Sequence, residues 1–328
     1  MTVVGVRAFL NCLTPRQLVY ISGSTEKTYL EWLATSAQPR GLLSKPESVV
    51  LSDNISKIHW IRSGQPASKV ILFFHGGGYS APLTAGHLNW CGSLITRLGA
   101  DGIPLAAAVL EYGLAPEHKY PRQLQQAAAA LQQVIELGFN PSSIFLGGDS
   151  AGAHLALGLL GHAMHKHPSI EKLKLESPLA GVFLISPWLT DDTLTRSYKE
   201  NFRVDMLPFD AARKAERYLV PPSLRQAEVE AGHGWAMAMD ACDDWWLSLP
   251  EVVGSVYITA GDEEMFRDHI VLFSRKLKDL HPSLPIQLEV ESLQAHDHML
   301  TYELMGYEEN PALDRLTSWF SSVLHISR

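Results

Sequence analysis

Ser150 is the residue whose neighbours point most directly to chemistry. It lies at the centre of a G-x-S-x-G motif, Gly148–Gly152, between a strand-like run and a helix-like run. A serine on such a sharp turn projects its hydroxyl from the edge of a sheet, and glycines two residues away let the strand and the helix approach each other. The helix dipole favours negative charge beside that oxygen. The motif therefore predicts a serine nucleophile rather than an inert glycine turn.

A second motif, His75–Gly78, directly follows the apolar run Val70–Phe74. Consecutive glycines let backbone N–H groups point into a site without obstruction by side chains, as stabilisation of a tetrahedral oxyanion requires. A merely flexible glycine loop would not normally follow a buried strand so closely. We therefore predict an oxyanion hole formed by the N–H groups of Gly76, Gly77 and Ala151.

A serine nucleophile also needs a base to take its proton and an acid to orient that base. Both residue types occur after the apolar run Val256–Ala260. The candidate acids lie in an acidic cluster that includes Asp262 and Glu264. The candidate bases are His296 and His298, and either ring could reach Ser150.

Alternation of strand-like and helix-like runs predicts the scaffold for these residues. Short β-branched or aromatic runs alternate with longer helix-forming runs, which indicates an α/β fold with a mostly parallel sheet and helices on both faces. The predicted strands are Lys57–Ile61, Val70–Phe74, Leu105–Tyr112, Ser143–Leu146, Gly181–Ser186, Val256–Ala260 and Ile286–Val290. The predicted helices are Gln123–Leu137, Ala151–His165, His269–Leu280 and Pro311–Leu324.

Two regions, 1–50 and 191–250, interrupt this alternation. The first reads as helices before the first strand, and the second is polar and then rich in tryptophan. Substrates of open α/β sheets bind outside the carboxyl ends of the strands, where extra segments form lids and pocket walls. We therefore expect one domain over residues 1–328, with a helical cap built from these two regions.

Four motifs, in this order along the chain, carry a resemblance to a known family. They are HGGG, then YGLAPEHKYP at Tyr112–Pro121, then GDSAG, then SPWL at Ser186–Leu189. Together they resemble the hormone-sensitive-lipase-like branch of the α/β-hydrolase family over roughly residues 60–300. One departure is Gly113, which stands where the family typically has arginine. The resemblance implies an α/β-hydrolase fold and a cofactor-free esterase with a capped pocket.

The resemblance also narrows the choice of acid and base. The family's acid is usually an aspartate in a DPLRD-like stretch, and aligning EMFRD with it puts Glu264 at the acid position, with Asp262 as the alternative. The family's His-Gly-Phe or His-Asp-Phe pattern puts the base at His296. Glutamate is one methylene longer than aspartate, so this assignment expects a compensating change in the backbone.

Composition excludes several classes of function. The net charge is -8 and no basic block occurs, which argues against a nucleic-acid surface. No apolar run approaches the ~20 residues of a membrane-spanning helix, and the first residues do not resemble a secretory signal. The three cysteines are scattered, and the histidines near 162–167 lack partners for a metal site. We therefore expect a cytoplasmic protein without metal or cofactor, and a homodimer remains open.

The predicted function is hydrolysis of a small to medium carboxylic ester, such as an acetyl ester or an ester natural product, through an acyl-enzyme. Tyr79 and Asp149, which adjoin the two motifs, are predicted to contact the substrate. An acyltransferase or a lactone-forming cyclase would use the same residues, and a ligand-binding protein of this fold without catalysis is a further alternative. The sequence alone does not separate hydrolysis from acyl transfer, because water and an alcohol would compete for one acyl-enzyme.

Overall fold

Eight strands form a single mixed sheet in a computed structural model that describes residue 7 and residues 12–326. The strand order is β1-β2-β4-β3-β5-β6-β7-β8; β1 and β4 pair antiparallel with β2, and all other pairs are parallel. The predicted α/β fold is therefore confirmed. The strands are β1 Ser48–Val50, β2 Lys57–Arg62, β3 Lys69–Phe74, β4 Leu105–Glu111, β5 Ile144–Asp149, β6 Gly181–Ile185, β7 Val256–Gly261 and β8 Ile286–Glu291.

Helices cover both faces of this sheet. The α-helices are α1 Pro15–Ser22, α2 Thr25–Trp32, α3 Ala85–Ala100, α4 Arg122–Glu136, α5 Ala151–Met164, α6 Arg196–Asn201, α7 Ala211–Leu219, α8 Pro222–Glu230, α9 Leu249–Val252, α10 Arg267–Leu280, α11 His298–Met305 and α12 Pro311–Ile326. Leu33–Ala37 forms a π-helical turn, and Gln38–Arg40, Pro141–Ser143 and Asp243–Trp246 form 3-10 turns.

Two apolar cores lie on opposite faces of the sheet. In β3, Val70, Leu72 and Phe74 face the core beneath α4, α5 and α10, whereas Ile71 and Phe73 face the core beneath α3 and α12. Alternate side chains of a strand point to opposite faces, so a strand buried on both faces needs an unbroken apolar run. The run between residues 70 and 74 meets that requirement.

One edge of the sheet collects the residues that the motifs single out. Strands β3, β5, β6, β7 and β8 are mutually parallel through their neighbours, so their carboxyl ends meet at the same edge. The glycine motif follows β3, Ser150 follows β5, Glu264 follows β7 and His296 follows β8. The fold therefore places all four loops side by side.

Strand β1 and helix α3 are among the elements that were not predicted from the sequence, and α11 is another. Strand β1 is only three residues long and pairs antiparallel with β2 at the sheet edge. Helix α3 contains Gly86, Gly92 and Gly99, and glycine disfavours helix interiors, so its helical pattern is weak. Gly86 is required by packing, because a Cβ there would lie 2.9 Å from the Cβ of Leu304 in α11.

Residues 191–250 lie between β6 and β7 in the chain and interrupt the alternation of strands and helices. They contain the helices α6, α7 and α8. In the other predicted cap region, α2 packs beneath α3, with Tyr29 and Trp32 in its core and the Tyr29 hydroxyl donating to the Trp60 carbonyl at 2.7 Å. Residues 1–6 and 8–11 of that region lie outside the described residues. The cap therefore remains a prediction.

Candidate active site

Ser150 sits on a strained turn between β5 and α5. Its backbone angles are φ 49° and ψ -113°, a conformation that non-glycine residues rarely adopt. The flanking glycines are needed because a Cβ at Gly148 or Gly152 would lie 1.9 Å from the carbonyl oxygen of Phe74. Strain of this kind is typical of functional sites, and here it presents the hydroxyl at the amino end of a helix.

His296 is the histidine that the structure brings to the serine. Its Nε2 lies 2.9 Å from Ser150 Oγ, within hydrogen-bond distance, and its ring is buried against Phe266. His298 begins α11, and neither of its ring nitrogens has a hydrogen-bond partner among the described side chains and backbone groups. The geometry therefore favours His296 over His298 as the partner of Ser150.

Glu264 faces the other side of the same ring. Its Oε2 lies 3.7 Å from His296 Nδ1, and the residue is fully buried. The hydroxyl of Ser186 donates to that Oε2 at 2.6 Å and in turn accepts the N–H of Asp297 at 3.2 Å. A separation of 3.7 Å is an ion-pair distance rather than a hydrogen bond, and such contacts often tighten only when substrate is bound.

Asp262 has a different position. Its carboxylate accepts the N–H of Leu293 at 2.6 Å and the hydroxyl of Ser292 at 3.3 Å, both in the turn after β8. These bonds tie the loops after β7 and β8 together at the surface. The structure thus brings Glu264, and not Asp262, to the histidine ring.

A second carboxylate, Asp297, approaches His296 from the serine side. Its Oδ2 lies 3.2 Å from Nε2, and its Oδ1 has no hydrogen-bond partner among the described groups. Burial raises the pKa of Asp297 to about 7 although the neighbouring imidazole lowers it. Burial lowers the pKa of His296, but the carboxylates of Asp297 and Glu264 outweigh this and raise it well above its usual value. The base is therefore held in a strongly negative environment.

The glycine loop differs in one respect from the sequence-based prediction. The N–H of Gly76 donates to Asp149 Oδ1 at 3.0 Å, so it is not free to bind an oxyanion, and its assignment as a donor is wrong for this conformation. A Cβ at Gly76 would lie 2.1 Å from that carboxylate. Gly77 and Gly78 both have positive φ, 98° and 59°, and their N–H groups donate to no described residue. Ala151 remains at the first position of α5.

Asp149 holds the glycine loop by a hydrogen bond that its side chain accepts. Its Oδ1 binds the glycine loop, and its Oδ2 lies 3.2 Å from Nε2 of His87 in α3. Nδ1 of His87 accepts the N–H of Thr84 at 3.0 Å, so the proton of the neutral ring is on Nε2 and points to Asp149. Both carboxylate oxygens are thus occupied inside the protein, and contact of Asp149 with substrate stays a prediction.

Tyr79 also has its polar group occupied. Its hydroxyl lies 2.7 Å from Nδ1 of His154, whose Nε2 donates to the carbonyl of Ala236 at 2.7 Å. Burial lowers the pKa of His154 to about 4, so the ring is neutral and its Nδ1 accepts the tyrosine proton. Trp188 stacks on His154 with ring centroids 4.7 Å apart, and its backbone N–H donates to the carbonyl of Ser150 at 3.2 Å. These buried side chains therefore belong to residues that lie against the backbone of the nucleophile.

Ser186 and Asp205 are among the residues at the proposed triad loops that sequence reasoning missed. Ser186 lies in the SPWL motif, which marked the position but not its contact with Glu264. Asp205 accepts the N–H groups of Met265 and His296, and no local pattern pointed to it. Only the folded chain brings residue 205 to both loops.

Two further features concern cofactors and membranes. Within residue 7 and residues 12–326, no group of three or more histidine, cysteine or acidic side chains is arranged to hold a metal ion. In the same part of the chain, every helix is too short or too polar to cross a lipid bilayer.

Comparisons with known proteins agree with this fold. Residues 71–299, more than half of the chain, match a family described as the α/β hydrolase fold. The acetyl-hydrolase of Streptomyces hygroscopicus is 28% identical over 196 residues, which cover 59% of this chain and 61% of that protein. The arylacetamide deacetylase of Oryctolagus cuniculus is 30% identical over 232 residues, which cover 63% of this chain and 54% of that protein.

The matches span less than two thirds of the length of these two curated relatives. Among solved structures, that of EstE5-PMSF is 25% identical, with a TM-score of 0.65, covering 89% of this chain and 91% of that one. The resemblance to hormone-sensitive-lipase-like esterases is therefore confirmed at the level of the family. This chain belongs to the α/β-hydrolase fold family.

Proposed function

We propose that this chain is a serine carboxylic-ester hydrolase that works through an acyl-enzyme. The observation that carries the proposal is the 2.9 Å contact between Ser150 Oγ and His296 Nε2 on a strained strand-to-helix turn. Glu264, fully buried on the opposite side of the ring, is the proposed acid. Nucleophile, base and orienting acid in this order define serine acyl-transfer chemistry.

In the first half of the reaction, His296 accepts the proton of Ser150 while the oxygen attacks the ester carbonyl. The N–H groups of Gly77, Gly78 and Ala151 then donate to the oxyanion of the tetrahedral intermediate. Glu264 orients the ring of His296 so that the Nδ1 proton points to its carboxylate, and it stabilises the imidazolium. Collapse of the intermediate releases the alcohol, which takes the proton from His296.

In the second half, water replaces the alcohol beside the acyl-enzyme. His296 removes a proton from the water, which attacks the acyl carbonyl, and the same N–H groups bind the second oxyanion. Collapse releases the carboxylic acid and returns the proton to Ser150. These steps need only side chains, backbone amides and water.

A short acyl group, such as acetyl, is the proposed substrate feature. Ser150 is only 8% exposed, and the side chains of Tyr79, His154 and Trp188 near it are buried and in contact with one another. Two relatives are named for removal of acetyl groups, an acetyl-hydrolase and a putative steryl acetyl hydrolase of Schizosaccharomyces pombe. The proposed partner of this protein is therefore a small neutral ester.

We further propose that residues 191–250, with the start of the chain, form the cap. Support comes from Asn201, whose side chain binds the carbonyl groups of Asp262 and Glu264 at 2.9 Å each. Arg225 joins this region internally through ion pairs with Asp191 and Asp240, at 2.9 and 2.7 Å.

A cytoplasmic location is proposed from the three free cysteines, and cell fractionation tests it.

The test compares the purified protein with Ser150→Ala on p-nitrophenyl acetate, butyrate and octanoate. We expect activity to fall by ~10³-fold or more in the variant, and acetate or butyrate to be the best substrate. Ser318→Ala, on the exposed face of α12, is the matched control and keeps full activity.

A fluorophosphonate probe distinguishes the alternatives. Stoichiometric labelling at Ser150 supports an acyl-enzyme, whereas an unlabelled and inactive wild-type protein would indicate a ligand-binding role. Product analysis with an added alcohol separates hydrolysis from acyl transfer. If the new ester accumulates faster than the free acid at low alcohol concentration, the protein is an acyltransferase rather than a hydrolase.

A further inference from the structure

Three side chains of residues 191–250 bind the backbone on both sides of Glu264. Ser197, Asn201 and Asp205, which we call the clasp, are spaced four residues apart along α6 and the turn that follows it. The Ser197 hydroxyl donates to the carbonyl of Met265 at 2.7 Å, and the Asn201 amide donates to the carbonyl groups of residues 262 and 264. Asp205 accepts the N–H of Met265 at 2.7 Å.

The same Asp205 carboxylate reaches the second loop of the site. Its Oδ2 binds Met265, next to Glu264, while its Oδ1 accepts the N–H of His296 at 3.1 Å. One rigid carboxylate therefore bridges the loop after β7 to the loop after β8. The distance between the proposed acid and the proposed base is set across this bridge.

Burying the Asp205 carboxylate costs free energy, because the charge loses its contact with water. Asp205 is fully buried, and no lysine or arginine within the described part of the chain forms an ion pair with it. A buried carboxylate without such a partner is stable only when hydrogen bonds satisfy it, and these two N–H groups are its partners from the catalytic loops. An apolar residue of similar volume would avoid burying the charge but would leave these two N–H groups without an acceptor.

We propose that Asp205 is a positioning residue that fixes His296 relative to Glu264 and couples the conformation of residues 191–250 to the triad. This inference rests on the proposed function. The carboxylates of Glu264 and Asp297 face the His296 imidazole, whereas Asp205 binds the backbone N–H of the same residue. The Asp205 carboxylate also interacts electrostatically with the His296 side chain, so it adds to the negative charge around the base. When residues 197–205 move, the hydrogen bonds that hold both loops break together.

The test is Asp205→Asn, which keeps the shape of the side chain but replaces one acceptor oxygen with a donor. We expect kcat on p-nitrophenyl acetate to fall about 10- to 100-fold, with KM changed less than about threefold. We also expect the acid limb of the kcat profile to move to lower pH, because one negative charge near the base is lost. Asp210→Asn, an exposed aspartate paired with Lys214, is the matched control and changes neither quantity.

The fraction of molecules labelled by a fluorophosphonate separates positioning from loss of folded protein. A lower kcat with complete labelling supports the proposal, whereas an unchanged kcat, or a loss matched by the unlabelled fraction, overturns it. If Asp205→Asn does not fold, Asn201→Ala decides. This variant removes two hydrogen-bond donors without changing the charge, so we expect a lower kcat and an acid limb at the wild-type pH. A wild-type kcat in Asn201→Ala would overturn the proposal that the clasp positions the triad. An inactive, unlabelled wild-type protein would instead refute the proposed function itself.

Discussion

Asp297 gives the sharpest test of the electrostatics around the base. Its Oδ2 lies 3.2 Å from His296 Nε2, and both side chains are buried. Asp297→Asn removes the charge and keeps the shape, and asparagine tolerates the left-handed backbone, φ 51°, found at this position. The variant therefore tests the charge rather than the fold.

The direction of the effect follows from linkage. The active base is the neutral imidazole, and a nearby carboxylate stabilises the imidazolium, so Asp297 raises the pKa of His296. In the wild-type protein, activity should therefore be lost as pH falls through a value above the usual ~6.5 of histidine. Without the charge, the acid limb of the kcat/KM profile should move to lower pH.

The size of the effect can be bounded from the distance. Two unit charges 3.2 Å apart interact by about 5 kcal/mol at an effective dielectric constant of ~20, which is an upper limit. Opposite charges at such range shift a pKa by about 1–3 units, and burial raises the pKa of Asp297 to about 7, so it is partly neutral near that pH. We therefore expect a downward shift of about one to two pH units, or ~1.4–2.7 kcal/mol.

The assay is the initial rate on p-nitrophenyl acetate from pH 5 to pH 10, at substrate concentrations well below KM. Asp210→Asn makes the same change of charge at an exposed site and serves as the control. An acid limb that stays in place, or that moves to higher pH, would refute the assignment of Asp297 as the charge that sets the protonation of His296.

Three other predictions follow from the site geometry. Glu264→Gln should lower kcat by ~10³-fold or more while Asp262→Asn stays within a few-fold, as measured on p-nitrophenyl acetate; the reverse order would exchange the two acids. Gly76→Ala should lower kcat by ~10²-fold, because its Cβ would displace the carboxylate that supports the oxyanion loop, and wild-type turnover would contradict that role. Gly152→Ala should lower the free energy of unfolding by ~3 kcal/mol or more, because its Cβ would lie 1.9 Å from a backbone carbonyl oxygen. In the control Gly99→Ala, the added Cβ meets no neighbouring atom, so this variant should stabilise the protein slightly. Denaturant titration measures the free energy of unfolding of both variants.

The sheet and its motifs were predictable because their signals are local. Each predicted strand overlaps an observed one, since buried parallel strands require continuous apolar runs. The position of Ser150 between β5 and α5 likewise follows from the glycines that let the two elements approach each other. The family resemblance further directed attention to Glu264 and His296, which the structure brings together.

The remaining features depend on contacts between distant parts of the chain. The N–H of Gly76 is occupied by a carboxylate that lies 73 residues away in sequence, so the motif alone could not show that it is unavailable. Asp205 lies 91 residues from His296, in a region without periodic pattern. Helix α3 was missed for another reason, because Gly86 serves packing against α11 and Gly92 serves packing against Trp32, both at the expense of helix propensity.

The carboxylates around His296 also bear on how the products leave. Glu264, Asp205 and Asp297 lie around one buried base, and none of the three forms an ion pair with a lysine or arginine among the described residues. An ester enters this environment as a neutral molecule, but its acid product carries a negative charge at neutral pH. Like charges repel strongly where water is scarce. The same side chains that hold the base would therefore repel the acid product, so the free acid should be a weak inhibitor.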